Sequence, residues 1–172
     1  MQGGREPTQA EFHEAITNRG DRWFSACLKI TRNRAMAEDA VQEALLSAWS
    51  KRGQFHHDAR LDTWIHRIAV NAALQLLRKN RPAAFESLDF EIVDDSDSQE
   101  DSQHAGELER DLAKALTHLS DIERVCFVLK HMEQWRLKEI AEELDSNIGT
   151  VKQALFRGVR KLREQMTVLQ GE

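Results

Sequence analysis

The chain is 172 residues long and 41% apolar, with 8 glycines, 2 prolines and no tyrosine, which is enough to bury one or two small cores but too poor in turn residues for a β-rich fold. No apolar run approaches the roughly 20 residues of a membrane-spanning helix, and the N-terminus lacks the charged-then-apolar pattern of an export signal, so no membrane insertion and a cytoplasmic location are expected. The net charge is −5, yet residues 86–111 hold eleven carboxylates and one arginine, −10 in that segment, which leaves +5 on the rest of the chain.

In chain order, Phe12, Ile16, Trp23, Phe24, Cys27, Leu28 and Ile30 supply the apolar positions of a helical start, with an interruption expected near Asn18-Arg-Gly-Asp21. Asn33 is placed to cap the next helix, where Met36, Ala37, Ala40, Val41, Ala44, Leu45, Ala48 and Trp49 recur at three- and four-residue spacing. The other face of that helix carries Glu38, Asp39, Gln42 and Glu43. A loop from Lys51 to Arg60 contains Gly53 and the pair His56-His57, and Asp62 or Thr63 is expected to cap a third helix whose buried side is Trp64, Ile65, Ile68, Ala69, Ala72, Leu76 and Leu77. Pro82 ends it, because the residue before a proline disfavours the helical region.

From Glu91 to Gly106 apolar periodicity disappears and Asp, Ser and Gln dominate. Such a segment buries too little surface to offset its ordering entropy, and a flexible linker is expected. The expected organisation is therefore all-α, with a helical domain over 8–85, an acidic linker over 86–106 and a second helical domain over 107–168. In that second domain Leu108, Leu112, Ala115, Leu116 and Leu119 make one amphipathic helix, and Ser120-Asp-Ile-Glu123 has the spacing of a capping box for the next. Two further helices, Leu137–Leu144 and Thr150–Met166, flank the polar turn Asp145-Ser-Asn-Ile-Gly, with Asn147 as the cap, which is a helix-turn-helix pattern.

The chemistry is concentrated in two places. The last helix carries Lys152, Arg157, Arg160, Lys161 and Arg163 with no acid between Gly149 and Arg163. A basic second helix after a polar turn, projecting Lys152, Gln153, Phe156 and Arg157 near its start, suits duplex DNA: first-turn side chains reach base edges while cations and amides hold phosphates. The third helix and its loop mix Arg60, Arg67, Asn71, Arg78, Lys79 and Arg81 with Phe55, Trp64 and His66, a combination of cations and ring surfaces that suits an unpaired nucleic acid strand. Trp64 itself falls on the apolar stripe and is assigned to the core. Cys27 and Cys126 lie far apart inside apolar patterns and are expected as buried thiols. His56-His57 has no third ligand at metal spacing, and no catalytic set is present, so neither metal, cofactor nor enzymatic activity is expected.

At this point the sequence resembles the extracytoplasmic-function (ECF) class of bacterial RNA polymerase sigma factors, over about residues 10–82 and 107–166. Ala37-Glu-Asp-Ala-Val-Gln-Glu-Ala-Leu-Leu-Ser-Ala-Trp49 is similar to the family's polymerase-binding helix, and Asp62-Thr-Trp-Ile-His-Arg-Ile-Ala-Val-Asn-Ala-Ala73 to its promoter-melting helix. Glu123-Arg-Val-Cys-Phe-Val-Leu, Glu139-Ile-Ala-Glu-Glu-Leu and Gly149-Thr-Val-Lys resemble its second domain. The resemblance implies that Glu38, Asp39, Gln42 and Glu43 bind the coiled-coil clamp helices of the largest polymerase subunit, and that the second domain meets the flap region. It implies that Phe55, Arg60, Arg67, Asn71 and Arg78 read and open the −10 element, with a flipped base held near the 55–60 loop. It further implies that Lys152, Gln153, Phe156, Arg157 and Arg160 dock on the −35 element, and that an anti-sigma factor is a partner.

The chain departs from the family pattern in places. Gln153 and Ala154 stand where Ser-Arg is common, Ser120 where Pro is common, and Asp145 where Gly is frequent. The two rival readings are a helix-turn-helix regulator acting without polymerase, and a sigma mimic that titrates an anti-sigma factor.

Overall fold

The computed structural model describes residues 4–82 and 106–170, and the expected linker over 86–106 lies outside the described residues except at Gly106. The chain divides into two compact units, Met1–Asn80 and Arg81–Glu172. Among the described residues there are helices and turns and no strand, and no helix is long and apolar enough to cross a membrane.

The first unit packs α1 (Gln9–Thr31), α2 (Arg34–Ser50) and α3 (Leu61–Asn80), with a 3-10 turn at Arg52–Gln54. Thr8 opens α1 with a reciprocal capping box: its Oγ1 accepts from the Glu11 amide at 3.2 Å, and its own amide donates to Glu11 Oε2 at 2.7 Å. The expected interruption at Asn18–Asp21 does not occur, and α1 runs through Gly20 without a break. The reason is geometric. Phe12, Ala15, Trp23, Ala26, Cys27 and Ile30 are all buried on one face, and one glycine costs only about 1 kcal/mol against that packing. Arg32, left-handed at φ 53°, ends α1, and the Asn33 side chain caps α2 by accepting from the Met36 amide at 2.9 Å.

What α2 buries is a stripe of small residues, Ala37, Ala40, Ala44 and Ala48. These let its backbone lie close to its neighbours, with Met36, Val41 and Leu45 half-buried beside them and Leu46 turned outward. Trp49, expected in the core, is half-exposed: its ring meets Phe12 edge-on at 5.2 Å and lies 4.1 Å beneath the Arg52 guanidinium. The third helix starts earlier than expected, at Leu61. Arg60 therefore stands at the cap position, its carbonyl accepting from the Trp64 amide at 3.0 Å, and Asp62 serves as an acid of the first turn. The Trp23 indole donates to the Asp62 carbonyl at 3.2 Å and so pins α1 to the start of α3.

The second unit contains α4 (Glu107–Leu116), α5 (Asp121–Phe127), a π-helical turn (Val128–Met132), α6 (Leu137–Glu143) and α7 (Ile148–Gln170). Both halves of the Ser120–Glu123 capping box are present. Ala115, Leu116, Leu119 and Leu162 form one buried cluster, with Leu112, Phe127 and Met166 packed against it. Both cysteines are buried and free; burial pushes the Cys126 thiol up to about 12, so it stays protonated and unreactive.

The turn between α6 and α7 explains one departure from the family pattern. Asp145 has φ 51°, the left-handed conformation at which glycine commonly ends a helix. A residue with a Cβ is strained there, and aspartate tolerates the strain better than most. Asp145→Gly is expected to raise the thermal midpoint of this unit by a few degrees, corresponding to about 1 kcal/mol or less after the added freedom of the unfolded glycine. A lowered midpoint in a thermal melt would show that the aspartate contributes something beyond its backbone.

Candidate nucleic-acid interface

The turn builds α7 with an open, basic face. The Asn147 side chain accepts from the Thr150 amide at 2.9 Å, which starts the helix at Ile148, two residues before the expected Thr150. Val151, Ala154, Gly158 and Leu162 face inward. Lys152, Gln153, Phe156, Arg160 and Arg163 are exposed, and their spacing sets them on one face. Phe156 is 70% exposed, which burial in this unit does not explain and which gives the basic face an apolar contact point. Ala154 is fully buried, so of the two departures at 153–154 only Gln153 meets whatever approaches this face. Ile148, the first residue of α7, is exposed.

Arg157 does not share that face. Its Nε donates to Glu123 Oε2 at 3.2 Å, and Lys161 Nζ donates to Glu123 Oε1 at 2.7 Å. Glu123 is only 3% exposed, while the two cations keep 27% of their side chains in solvent. The same carboxylate closes the capping box by accepting from the Ser120 amide at 3.0 Å. Burial opposes its ionisation, but the Lys161 and Ser120 hydrogen bonds, the Lys161 charge and the Arg157 hydrogen bond together outweigh it and hold the carboxyl below the usual carboxylate value. A folded value below the unfolded one means that this stabilisation is present at neutral pH and is lost as pH falls through the folded value. Stripping a buried carboxylate of its cations costs about 3–5 kcal/mol, against about 1 kcal/mol or less for an exposed ion pair. The sequence signals only the capping role of Glu123; its ion pairs carry no local signal, since the partners lie on another helix.

In the first unit Trp64, Arg67, Asn71 and Arg78 fall at helical spacing along α3, half-buried, with Arg60 continuing the line at its start. The Asn71 Oδ1 is buried without a hydrogen-bond partner among the described residues. Phe55 is 6% exposed: its ring packs against Trp64 at 5.1 Å and His57 at 4.8 Å, so it forms a floor and presents no stacking face of its own. Trp64, assigned to the core from its spacing, is half-buried above it. Beside them is a pocket of about 240 Å³, lined by Pro7, Glu14, Asn18, Phe55, His57 and Arg60 among others. It is smaller than the ~300–1,000 Å³ of drug-sized sites. Arg60 reaches over its edge, exposed and 3.2 Å from Asp62, which also pairs with Arg19 at 3.3 Å.

The remaining surface is the outer face of α2. Glu38, Asp39, Gln42 and Glu43 are all exposed, with Arg34 3.3 Å from Glu38. One turn further on, Leu46 is 74% exposed, beside the half-exposed Trp49. The sequence signal for this apolar extension of the acidic face is that Leu46 sits opposite the alanine stripe on a helical wheel. An acidic helix face with an apolar end fits a basic, amphipathic partner.

Comparison with known proteins places both units. The family described as Sigma-70 region 2 matches residues 16–83, and the family described as Sigma-70, region 4 matches residues 109–162. The chain is 31% identical over 168 residues to the ECF RNA polymerase sigma factor SigW of Bacillus subtilis (strain 168), covering 92% of this chain and 90% of that protein. It is 31% identical over 173 residues to the RNA polymerase sigma factor CarQ of Myxococcus xanthus, covering 100% of this chain and 98% of that one. Among solved structures, the sigma factor RpoE of Bartonella quintana, in complex with the anti-sigma factor NepR, matches with a TM-score of 0.61 at 24% identity, over 92% of this chain and 98% of that one. CnrH, in complex with the cytosolic domain of CnrY, matches with a TM-score of 0.53 at 22% identity, over 94% and 90%. These two likenesses are of fold.

Proposed function

The chain belongs to the ECF sigma factors of the sigma-70 family, and from that premise we propose how its surfaces divide the work of initiation. It is an RNA polymerase sigma factor that directs promoter-specific transcription initiation, and its partners are core polymerase and promoter DNA. Sigma factors are initiation factors rather than enzymes, and the chain brings no chemistry of its own: polymerase supplies the catalysis, in the cytoplasm.

Residues 8–85 act as the domain that binds core polymerase and opens the −10 element, 86–106 as the linker, and 107–168 as the −35-binding domain, which also meets the flap region. Glu38, Asp39, Gln42 and Glu43, with Leu46 as an apolar anchor, dock on the clamp helices of the largest subunit. Lys152, Gln153, Phe156 and Arg160 face the −35 major groove. The observation that carries this reading is the exposure of these four side chains on one face of a capped helix that follows a tight polar turn. Core polymerase fixes the separation of the two domains, so weak contacts at the two elements reinforce each other through effective concentration.

At the −10 element, the line Arg60, Arg67, Asn71 and Arg78 follows the phosphates of the non-template strand, and the neighbouring pocket takes one flipped base. The pairing of the sigma factor RpoE with the anti-sigma factor NepR supports an anti-sigma partner for this chain as well.

The −10 assignment is tested by Arg60→Ala combined with Asn71→Ala. The expected result is normal assembly with core but promoter opening slowed roughly thirtyfold, at about 1 kcal/mol for each of the two lost contacts. Permanganate reactivity of unpaired thymines measures it. Opening at the wild-type rate removes these residues from the melting surface.

A further inference from the structure

We infer that Glu123 is a counter-ion built into the −35-binding domain, one that holds Arg157 and Lys161 away from DNA and leaves Lys152, Arg160 and Arg163 as the phosphate contacts of α7. The inference rests on the reading of α7 as the −35-binding helix. It concerns which of that helix's charges are available to DNA.

Five cations lie on α7 between Lys152 and Arg163, with no acid among them. The helix therefore has no counter-charge of its own along this stretch, and the one it receives comes from α5. Each oxygen of the Glu123 carboxylate has its own cation, Arg157 Nε on Oε2 at 3.2 Å and Lys161 Nζ on Oε1 at 2.7 Å. Arg157 and Lys161 are one helical turn apart, on the flank that faces α5. Lys152, Arg160 and Arg163 are exposed and make no ion pair among the described residues. A phosphate that pulled Arg157 or Lys161 outward would leave a carboxylate that is only 3% exposed short of a partner. Even with the other cation and the Ser120 amide still in place, losing one charge partner inside a site closed to water is expected to outweigh a single exposed phosphate contact. The two cations are therefore expected to stay with Glu123 in the promoter complex.

The consequence is selectivity. Binding to arbitrary DNA is set almost entirely by the number of phosphates neutralised, whereas base contacts add only at the right sequence. Withholding two cations weakens the hold on any duplex and leaves Gln153 and Phe156 their full discrimination.

The test is the salt dependence of holoenzyme binding to a −35-containing promoter and to a scrambled duplex of equal length. Lys152→Met is expected to make the slope of log K against log salt shallower by about 0.9. Lys161→Met is expected to leave it unchanged. Glu123→Gln is expected to steepen it by up to about 1.8 and to tighten binding to the scrambled duplex by as much as roughly tenfold per released cation at 0.1 M salt. If Glu123→Gln does not fold, as circular dichroism would show, the comparison of Lys152→Met with Lys161→Met decides alone. A Lys161→Met slope as shallow as that of Lys152→Met overturns the inference. A Lys152→Met slope equal to wild type instead overturns the underlying placement of α7 on DNA.

Discussion

Reversing Asp39 and Glu43 together, as Asp39→Lys with Glu43→Lys, will abolish binding to core polymerase while leaving the first unit folded. Both side chains are exposed on α2, opposite the buried alanines, and exposed substitutions of this kind usually move stability by no more than about 0.5 kcal/mol. At a charged interface the effect is of another order. Two attractions are lost and two repulsions replace them, and like charges brought together at an interface cost several kcal/mol. A weakening of at least a thousandfold, about 4 kcal/mol, is expected. Leu46→Ala removes apolar contact without adding repulsion and is expected to cost about 1–2 kcal/mol. Co-purification with core enzyme and a titration by fluorescence anisotropy measure both. Retention of the double reversal on core polymerase would reject the α2 face as the dock.

Lys152→Ala with Phe156→Ala will remove most of the stimulation that a −35 element gives to initiation. Neither side chain supports the fold: Lys152 is exposed and Phe156 is 70% exposed. Phe156, as a base-edge contact in the major groove, is worth about 1–3 kcal/mol, and Lys152, as a phosphate contact, about 1 kcal/mol. The pair together therefore accounts for about 2–4 kcal/mol, a roughly thirtyfold to thousandfold loss of promoter occupancy below saturation. Core binding, which belongs to α2, should be unaffected. Initiation rates on matched templates with intact and scrambled −35 sequences separate the two effects. An undiminished advantage for the intact template would place the −35 contact elsewhere.

The parts of the fold that depend on near neighbours were legible in the sequence. Ser120 and Glu123 are three residues apart and form the cap that their spacing predicts, and Asn147 caps α7 as its position in the turn implies. Local signals also misled where packing overrode them. Gly20 looks like a break but lies inside a helix whose apolar face continues on both sides of it. Trp49 looks like core because it is large and apolar, yet the side that α2 buries is lined with alanine.

The candidate site divides in the same way. Lys152, Gln153, Phe156 and Arg160 share a face because helical spacing dictates it. Arg157 lies one position from Phe156 and looks equivalent in sequence. Its environment is set by a carboxylate 34 residues upstream, and no local pattern carries that information. Phe55 poses the same problem: an aromatic residue in a basic loop suggests a stacking surface, and only the tertiary packing shows it beneath Trp64 and His57.

The most direct measurement is run-off transcription with purified core polymerase, the purified chain, and a duplex template bearing matched −35 and −10 elements. The account predicts that core enzyme alone is silent, that adding the chain starts synthesis at one position, and that scrambling either element suppresses it. No transcript with the chain present on any matched template, together with no complex between the chain and core enzyme, would contradict it.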